Sequence, residues 1–246
     1  MAAKQRLDRL LVERGLASDL AEARALIMAG RVFRGEQRLD KSGTGVPTDT
    51  PLEVRGRPHP WVSRGGVKLI GALDRFGLDP AGRTALDVGA STGGFTDVLL
   101  TRGAAKVYAV DVGRGQLAWK LREDPRVVVL EGVNARYLGA AEVPEPVAAV
   151  VCDASFIGLE TVLPAPLALA EPGAWLVALI KPQFEAARAD VGKGGIVRDV
   201  AVREAVCERI SAWLDGRDGW RVIGTVESPI AGADGNVEFL LAATLS

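Results

Sequence analysis

Four charged residues stand in short segments whose composition suits a site: Lys68 in SRGGVKL, Asp153 in VVCDASFIGL, Lys181 in LIKPQFE and Glu238 in GNVEFLL. Two ammonium groups and two carboxylates can balance one another away from water. Glu238 lies in an apolar run, and a buried carboxylate demands a partner, for which lysine is the natural choice. Lys181 follows seven mostly apolar residues and precedes Pro182, so it should end a strand half-buried. Asp153 should end the preceding strand at the same sheet edge, where it can orient Lys181 and face a cofactor. Lys68 read alone is a solvated helix lysine; only the set gives it a role.

Such a set suits methyl transfer to a sugar hydroxyl. An alcohol is a poor nucleophile, so it must be held in line with the methyl donor while a base takes its proton. A lysine serves as that base only as the free amine, a form that burial and a neighbouring cation favour. Lys181 is the expected base, because open α/β sheets bind ligands at the carboxyl ends of their strands.

Between Lys68 and Asp153 lies LDVGASTGGFTDVLL, Leu86 to Leu100. Asp87 closes an apolar strand, and Gly89, Gly93 and Gly94 precede a helix whose free N–H groups suit an anion. Ser91, Thr92 and Phe95 belong to the same expected cofactor wall. The G-x-x-x-G-G spacing is not the dinucleotide fingerprint, and no G-K-[ST] follows. Asp111, at the end of the next strand, is placed to take two ribose hydroxyls. A carboxylate at the helix start and a ribose at Asp111 describe S-adenosylmethionine. Asn134 fits either the adenine edge or a simple Asn turn.

Composition removes other classes. No apolar run reaches the ~18 residues of a membrane helix, and the N-terminus carries charge throughout, so it is not read as a signal peptide. The expected location is cytoplasmic. Cys152 and Cys207 stand apart and form no metal-ligand pair, and the single histidine, His59, excludes mechanisms that need two. No metal is expected. Net charge is −1, but residues 1–58 hold 11 Lys+Arg against 8 Asp+Glu, which concentrates basic charge in the first quarter.

The elements that must position these groups fall into two patterns. Segment 6–14 has helical leucine spacing and stops at Gly15; Ser18 offers an N-cap for DLAEARALIMA, which ends at Gly30. Turn-rich sequence with short β runs follows, and GRPHP at 56–60 reads as a linker. Gly66 to Phe76 reads as a helix. From Ala85 short β-rich runs (TALDV, KVYAV, VVVL, VAAVVC, AWLVALI) alternate with helical stretches, which predicts a parallel sheet covered on both faces. Helix 157–170 should start late or bend at Pro164 and Pro166. WRVIGTVESP and NVEFLLAATL flank AGADG as a hairpin, so the last strand should be antiparallel. The 182–198 loop, rich in glycine and charge, is expected to be mobile in the free protein.

Residues 64–246 resemble the FtsJ/RrmJ-type ribosomal RNA 2′-O-methyltransferases, whose Lys-Asp-Lys-Glu tetrad falls on Lys68, Asp153, Lys181 and Glu238. The whole chain, with RLDRLLVERGLASDLAEARALIMAGRV in front, resembles the TlyA (hemolysin A) subfamily. WVSRGGVKL, DVGASTGGFTDVLL, DASFIGL, IKPQFE and GNVEFL carry that resemblance. It implies a small α+β S4-like RNA-binding domain at 1–58, a linker at 59–64, and a Rossmann-like methyltransferase domain at 65–246. The latter would hold a mostly parallel seven-stranded sheet with its last strand antiparallel. The implied cofactor is S-adenosylmethionine, and the implied target is cytidine ribose in ribosomal RNA, 23S and in longer members 16S as well. Arg6, Arg9, Arg24, Arg31, Arg34, Arg38 and Lys41 are candidate phosphate contacts, and Arg64 could meet the backbone near the target nucleotide. Two other readings remain, an RNA-docking factor without catalysis and a membrane-lytic hemolysin. Monomer and homodimer are both open.

Overall fold

The computed structural model describes residues 4–17, 19–56, 59–232 and 235–246. Strand β1 (Lys4–Arg6) leads directly into α1 (Leu7–Glu13), and Gly15, at φ 64°, turns the chain as its missing side chain allows. Helix α2 (Leu20–Met28) is capped by Asp19, whose carboxylate accepts from Glu22 N at 2.8 Å; Ser18 lies outside the described residues. Gly30, at φ 67°, ends it. Strands β2 (Val32–Arg34), β3 (Gln37–Arg38), β4 (Gly45–Pro47) and β5 (Glu53–Val54) follow. β1 pairs with β4, and β3-β2-β5 make a second small sheet. Leu7, Leu10, Leu11, Leu26, Ile27 and Val32 form the core of this unit. Within the GRPHP stretch, Arg57 and Pro58 lie outside the described residues.

The second unit begins with α3 (Gly65–Phe76) and β6 (Thr84–Val88), then α4 (Gly94–Thr101), β7 (Lys106–Asp111), α5 (Trp119–Arg122) and β8 (Val127–Glu131). β9 (Val147–Cys152) leads to α6 (Leu159–Val162) and α7 (Pro164–Leu167). The expected 157–170 helix thus starts late and breaks at Leu163, because Pro164 and Pro166 supply no N–H to continue it. β10 (Ala170–Ile180) begins four residues before the expected Ala174, passing through an irregularity between Ala170 and Trp175. After it come α8 (Pro182–Glu185), α9 (Val200–Asp215), β11 (Trp220–Glu227) and β12 (Phe239–Leu245).

The seven strands run in the order β11-β12-β10-β9-β6-β7-β8. β12 pairs antiparallel with both β10 and β11, while β10-β9-β6-β7-β8 pair parallel. Apolar clusters cover both faces: Leu86, Val150 and Leu176 on one, Ala85, Val151 and Val177 on the other. Alternate residues of β6, β9 and β10 feed opposite layers, so each strand reads as continuously apolar. α3 lays Leu69 and Leu73, both fully buried, on the second face; each contributes about 1.5–3 kcal/mol.

The closing hairpin is looser than its sequence suggests. β11 ends at Glu227 and β12 starts at Phe239, so Asn236 and Glu238 precede the strand instead of lying in it. Asn236 turns its side chain to another loop, accepting from Val197 N at 3.1 Å and donating to Gly195 O at 2.9 Å. Ala233 and Asp234 of the AGADG turn lie outside the described residues. Among the described residues no helix is long and apolar enough to cross a membrane.

Candidate active site

All four charged residues line one cavity of about 460 Å³ at the carboxyl edge of the sheet. β10 and β12 pair last at Ile180 and Phe239, so Lys181 and Glu238 leave their strands opposite each other. Lys68 reaches in from the first turn of α3, and its Nζ lies 2.6 Å from Glu238 Oε2. Lys68, Lys181 and Glu238 are buried. Lys181 Nζ donates to Asp153 O at 3.1 Å and to Ser155 Oγ at 2.8 Å, and lies 2.7 Å from Asp153 Oδ1. That last contact is close but poorly aligned, so it counts as an ion pair and not as a hydrogen bond. Oδ1 is covered while the Asp153 side chain is 23% exposed, so the oxygen open to the cavity is Oδ2. Gln183 Nε2 sits 3.4 Å from Glu238 Oε1.

A second chamber of about 540 Å³ adjoins the first, and Gly89, Ser91, Asp153, Ser155 and Phe156 line both. Asp111 and Asn134 line its far end. Asp111 already accepts from Ser91 N at 2.8 Å and Gly113 N at 2.7 Å, which fixes its carboxylate with lone pairs to spare. Asn134 also caps the turn after β8, accepting from Arg136 N at 3.1 Å, so the Asn-turn reading holds as well. Glu131 organises the 115–117 loop beside this chamber. Burial opposes its ionisation, yet the Gly115, Leu117 and Gln116 N–H groups and the Arg122 guanidinium hold it down to about 2.

The glycine turn divides its labour. Gly89, at φ 80°, lines both chambers, and a Cβ there would stand 2.8 Å from Ala154 Cα. Ser91, Thr92, Gly94 and Phe95 face the first chamber. Gly93 does not: a Cβ there would run into the Leu121 side chain, so its role is packing against the α5 region. Asp87 also stays out of the cavity. It is fully buried and accepts from Thr96 Oγ1 at 2.6 Å; burial pushes it up to about 7, and the Asp153 and Asp111 carboxylates push the same way.

The arginines of the first unit do not form one cluster. Arg6 and Arg24 converge on buried Asp8, at 2.7 and 3.3 Å, and the Arg6 guanidinium holds that carboxyl down to about 2 against the cost of burial. Both remain about half exposed. Arg9 is exposed on α1. Arg31 donates to Gly56 O and Arg34 to Gln37 Oε1. Arg64 directly precedes α3 and lines the tetrad cavity; with Arg31 it also borders a groove between α2 and α3.

Sequence reasoning missed Ser155, Gln183 and Asn236, although all three lie in or beside the motifs quoted above. A usable signal was present: a Gln or Asn placed next to a buried charged residue has hydrogen bonds to satisfy.

A sheet of this order, with a glycine turn after its first strand and a two-lobed cavity at its carboxyl edge, defines a Rossmann-like methyltransferase fold. The FtsJ-like methyltransferase model matches residues 61–245, and the S4 domain model matches residues 5–49. This chain belongs to the FtsJ-like methyltransferase family and carries an S4 domain ahead of it. It is 49% identical over 246 residues to the 16S/23S rRNA (cytidine-2′-O)-methyltransferase TlyA of Mycobacterium tuberculosis, covering 98% of this chain and 90% of that one. It is 40% identical over 237 residues to Hemolysin A of Brachyspira hyodysenteriae, covering 96% and 98%. A solved structure from Streptococcus thermophilus that carries a hemolysin label superposes with a TM-score of 0.80 at 42% identity, covering 100% of this chain and 90% of that one.

Proposed function

We propose that this protein methylates the 2′-hydroxyl of cytidine in ribosomal RNA, with S-adenosylmethionine as donor. The observation that carries the reading is the joining of the two chambers at Asp153: one ends at Asp111, and the other is ringed by Lys68, Lys181 and Glu238. The residues present fit the donor. Asp111 and Asn134 would hold the adenosine, Gly89 and Ser91 the methionine portion, and Asp153 Oδ2 its amino group. The bound donor supplies an electrophilic methyl group on a sulfonium. Lys181 Nζ, fixed by Asp153 and Ser155, holds the ribose hydroxyl and acts as its base once its own proton has left, because only the free amine has a lone pair to take one. Lys68, neutralised by Glu238, presents a rigid polar wall that keeps the hydroxyl on line.

The S4 unit, residues 1–58, docks the RNA. Arg6 and Arg24, pre-set by Asp8, bind phosphates at low entropic cost, and Arg64 carries that grip to the cavity mouth. An RNA-docking factor without catalysis would have no use for two buried ion pairs beside a donor chamber. A membrane-lytic role finds no support in the described helices. The test is a map of ribose methylation on ribosomal RNA from cells with and without the gene. The reading requires a cytidine 2′-O-methyl that vanishes with the gene; identical maps contradict it.

A further inference from the structure

Three contacts bind the loop after β9 to the segment after β10. At one end Lys181 Nζ meets Asp153 and Ser155. In the middle the Phe156 and Phe184 rings lie 5.0 Å apart. At the far end the buried Glu185 carboxylate accepts from Leu159 N at 2.7 Å, and Arg209 reaches it at 3.3 Å. Arg209 also pairs with Glu160 at 2.7 Å. The backbone between these ties is strained: Phe156 sits at φ 64° and the residue is 89% exposed. A non-glycine residue in that conformation costs about 1–2 kcal/mol and persists only where its surroundings hold it. Phe156 is too exposed for packing alone to do so.

We propose that Glu185 is a positioning residue for methyl transfer, its carboxylate pinning the 153–159 loop so that Asp153 and Ser155 stay in register with Lys181. Among the described residues, the oxygens that bond or pair with Lys181 Nζ all come from that loop. α8 is a single turn from Pro182 to Glu185, closed by Ala186 N donating to Pro182 O at 2.8 Å. Lys181 and Glu185 therefore move as one piece, and Leu159 N–H fixes the far end of the loop against it. Without the carboxylate, Phe156 relaxes to an ordinary conformation and the loop slides along Lys181. A misplacement of about 1 Å at a reacting centre costs on the order of 100-fold in rate. This inference rests on the function proposed above.

The test compares Glu185→Ala, Glu185→Gln and wild-type protein in RNA methylation with S-adenosylmethionine, reading kcat and the KM for RNA separately. Glu185→Ala should lose roughly 100-fold in kcat with an RNA KM within about 3-fold, because the RNA grip lies elsewhere. Glu185→Gln keeps an oxygen acceptor for Leu159 N–H, while Arg209 retains Glu160; it should return kcat to within about 5-fold of wild type. Gly158→Ala is the milder second variant. Its new Cβ stands 3.1 Å from Glu185 Oε2 and crowds the carboxylate, at a backbone φ of −76° that any residue adopts. It should slow kcat several-fold in a folded protein. An unchanged kcat in Glu185→Ala, or in Gly158→Ala if the former does not fold, overturns the inference. So does a loss that Gln fails to rescue. A wild-type protein inactive on RNA would instead remove the function itself.

Discussion

Lys68 Nζ and Glu238 Oε2 lie 2.6 Å apart although 170 positions separate them in the chain. The pair ties the start of α3 to the entry of β12 and closes one side of the tetrad cavity. Both side chains are almost wholly removed from water. Breaking such a pair costs more than replacing it, because one partner is left as an unmatched buried charge. Glu238→Ala should therefore destabilise the protein by about 3–5 kcal/mol in urea unfolding. The double replacement Lys68→Met, Glu238→Leu should recover most of that loss and remain inactive. Equal stability of single and double variants would contradict the pairing.

Gly89 and Gly93 belong to one motif but meet different surroundings, the chamber junction for Gly89 and the Leu121 side chain for Gly93. Both need positive φ, and a Cβ strains each by about 1–2 kcal/mol. At Gly93 the added methyl meets the movable ends of Leu121 and Leu117; at Gly89 it meets the Ala154 backbone at the junction of the two chambers. Gly93→Ala should lower stability and leave S-adenosylmethionine affinity within a few-fold. Gly89→Ala should abolish measurable binding in calorimetry.

Asp87 gives stability a pH dependence. Its folded-state pKa, about 7, lies above the ordinary value of 3.8, so the folded protein holds this proton more tightly than the unfolded chain. The resulting contribution is complete below about pH 4 and is lost as pH rises through about 7. Denaturant unfolding at pH 5 and pH 8 should show wild type losing more stability than Asp87→Asn over that interval. Parallel losses in the two proteins would show that Asp87 does not cause the dependence.

The parallel part of the sheet was legible because β6, β7, β8 and β9 are short, apolar and each followed by a helical stretch, the pattern of a covered parallel sheet. Lys181 and Asp153 were legible because a charge that ends an apolar strand is conspicuous. Contacts between distant segments were not. Nothing near Glu185 in sequence announces Leu159, and nothing near Asn236 announces Gly195 and Val197. Gly93 and Asp87 share the motif with Gly89 but face the packed interior. Motif membership shows that a residue is needed, whereas the direction it faces depends on neighbours such as Leu121 and Thr96. GNVEFLLAATL is apolar enough to predict Glu238 inside the last strand, yet Asn236 bonds to another loop and ends the ladder early.

Arg6 should act through charge. It stays half exposed while Asp8 fixes its guanidinium. Arg6→Ala should weaken RNA binding and lower the log–log salt slope by about 0.7–0.9 for each phosphate that the arginine neutralises. An unchanged slope in filter binding over a salt series would remove Arg6 from the interface.

Lys181→Ala is the most direct test of the central claim, that a lysine held by Asp153 and Ser155 takes the ribose proton beside the donor chamber. The measurement is single-turnover methyl transfer to ribosomal RNA, with S-adenosylmethionine affinity measured on the same protein. The account predicts a loss of at least about 100-fold in rate with donor affinity nearly unchanged. Wild-type turnover in that variant would contradict it.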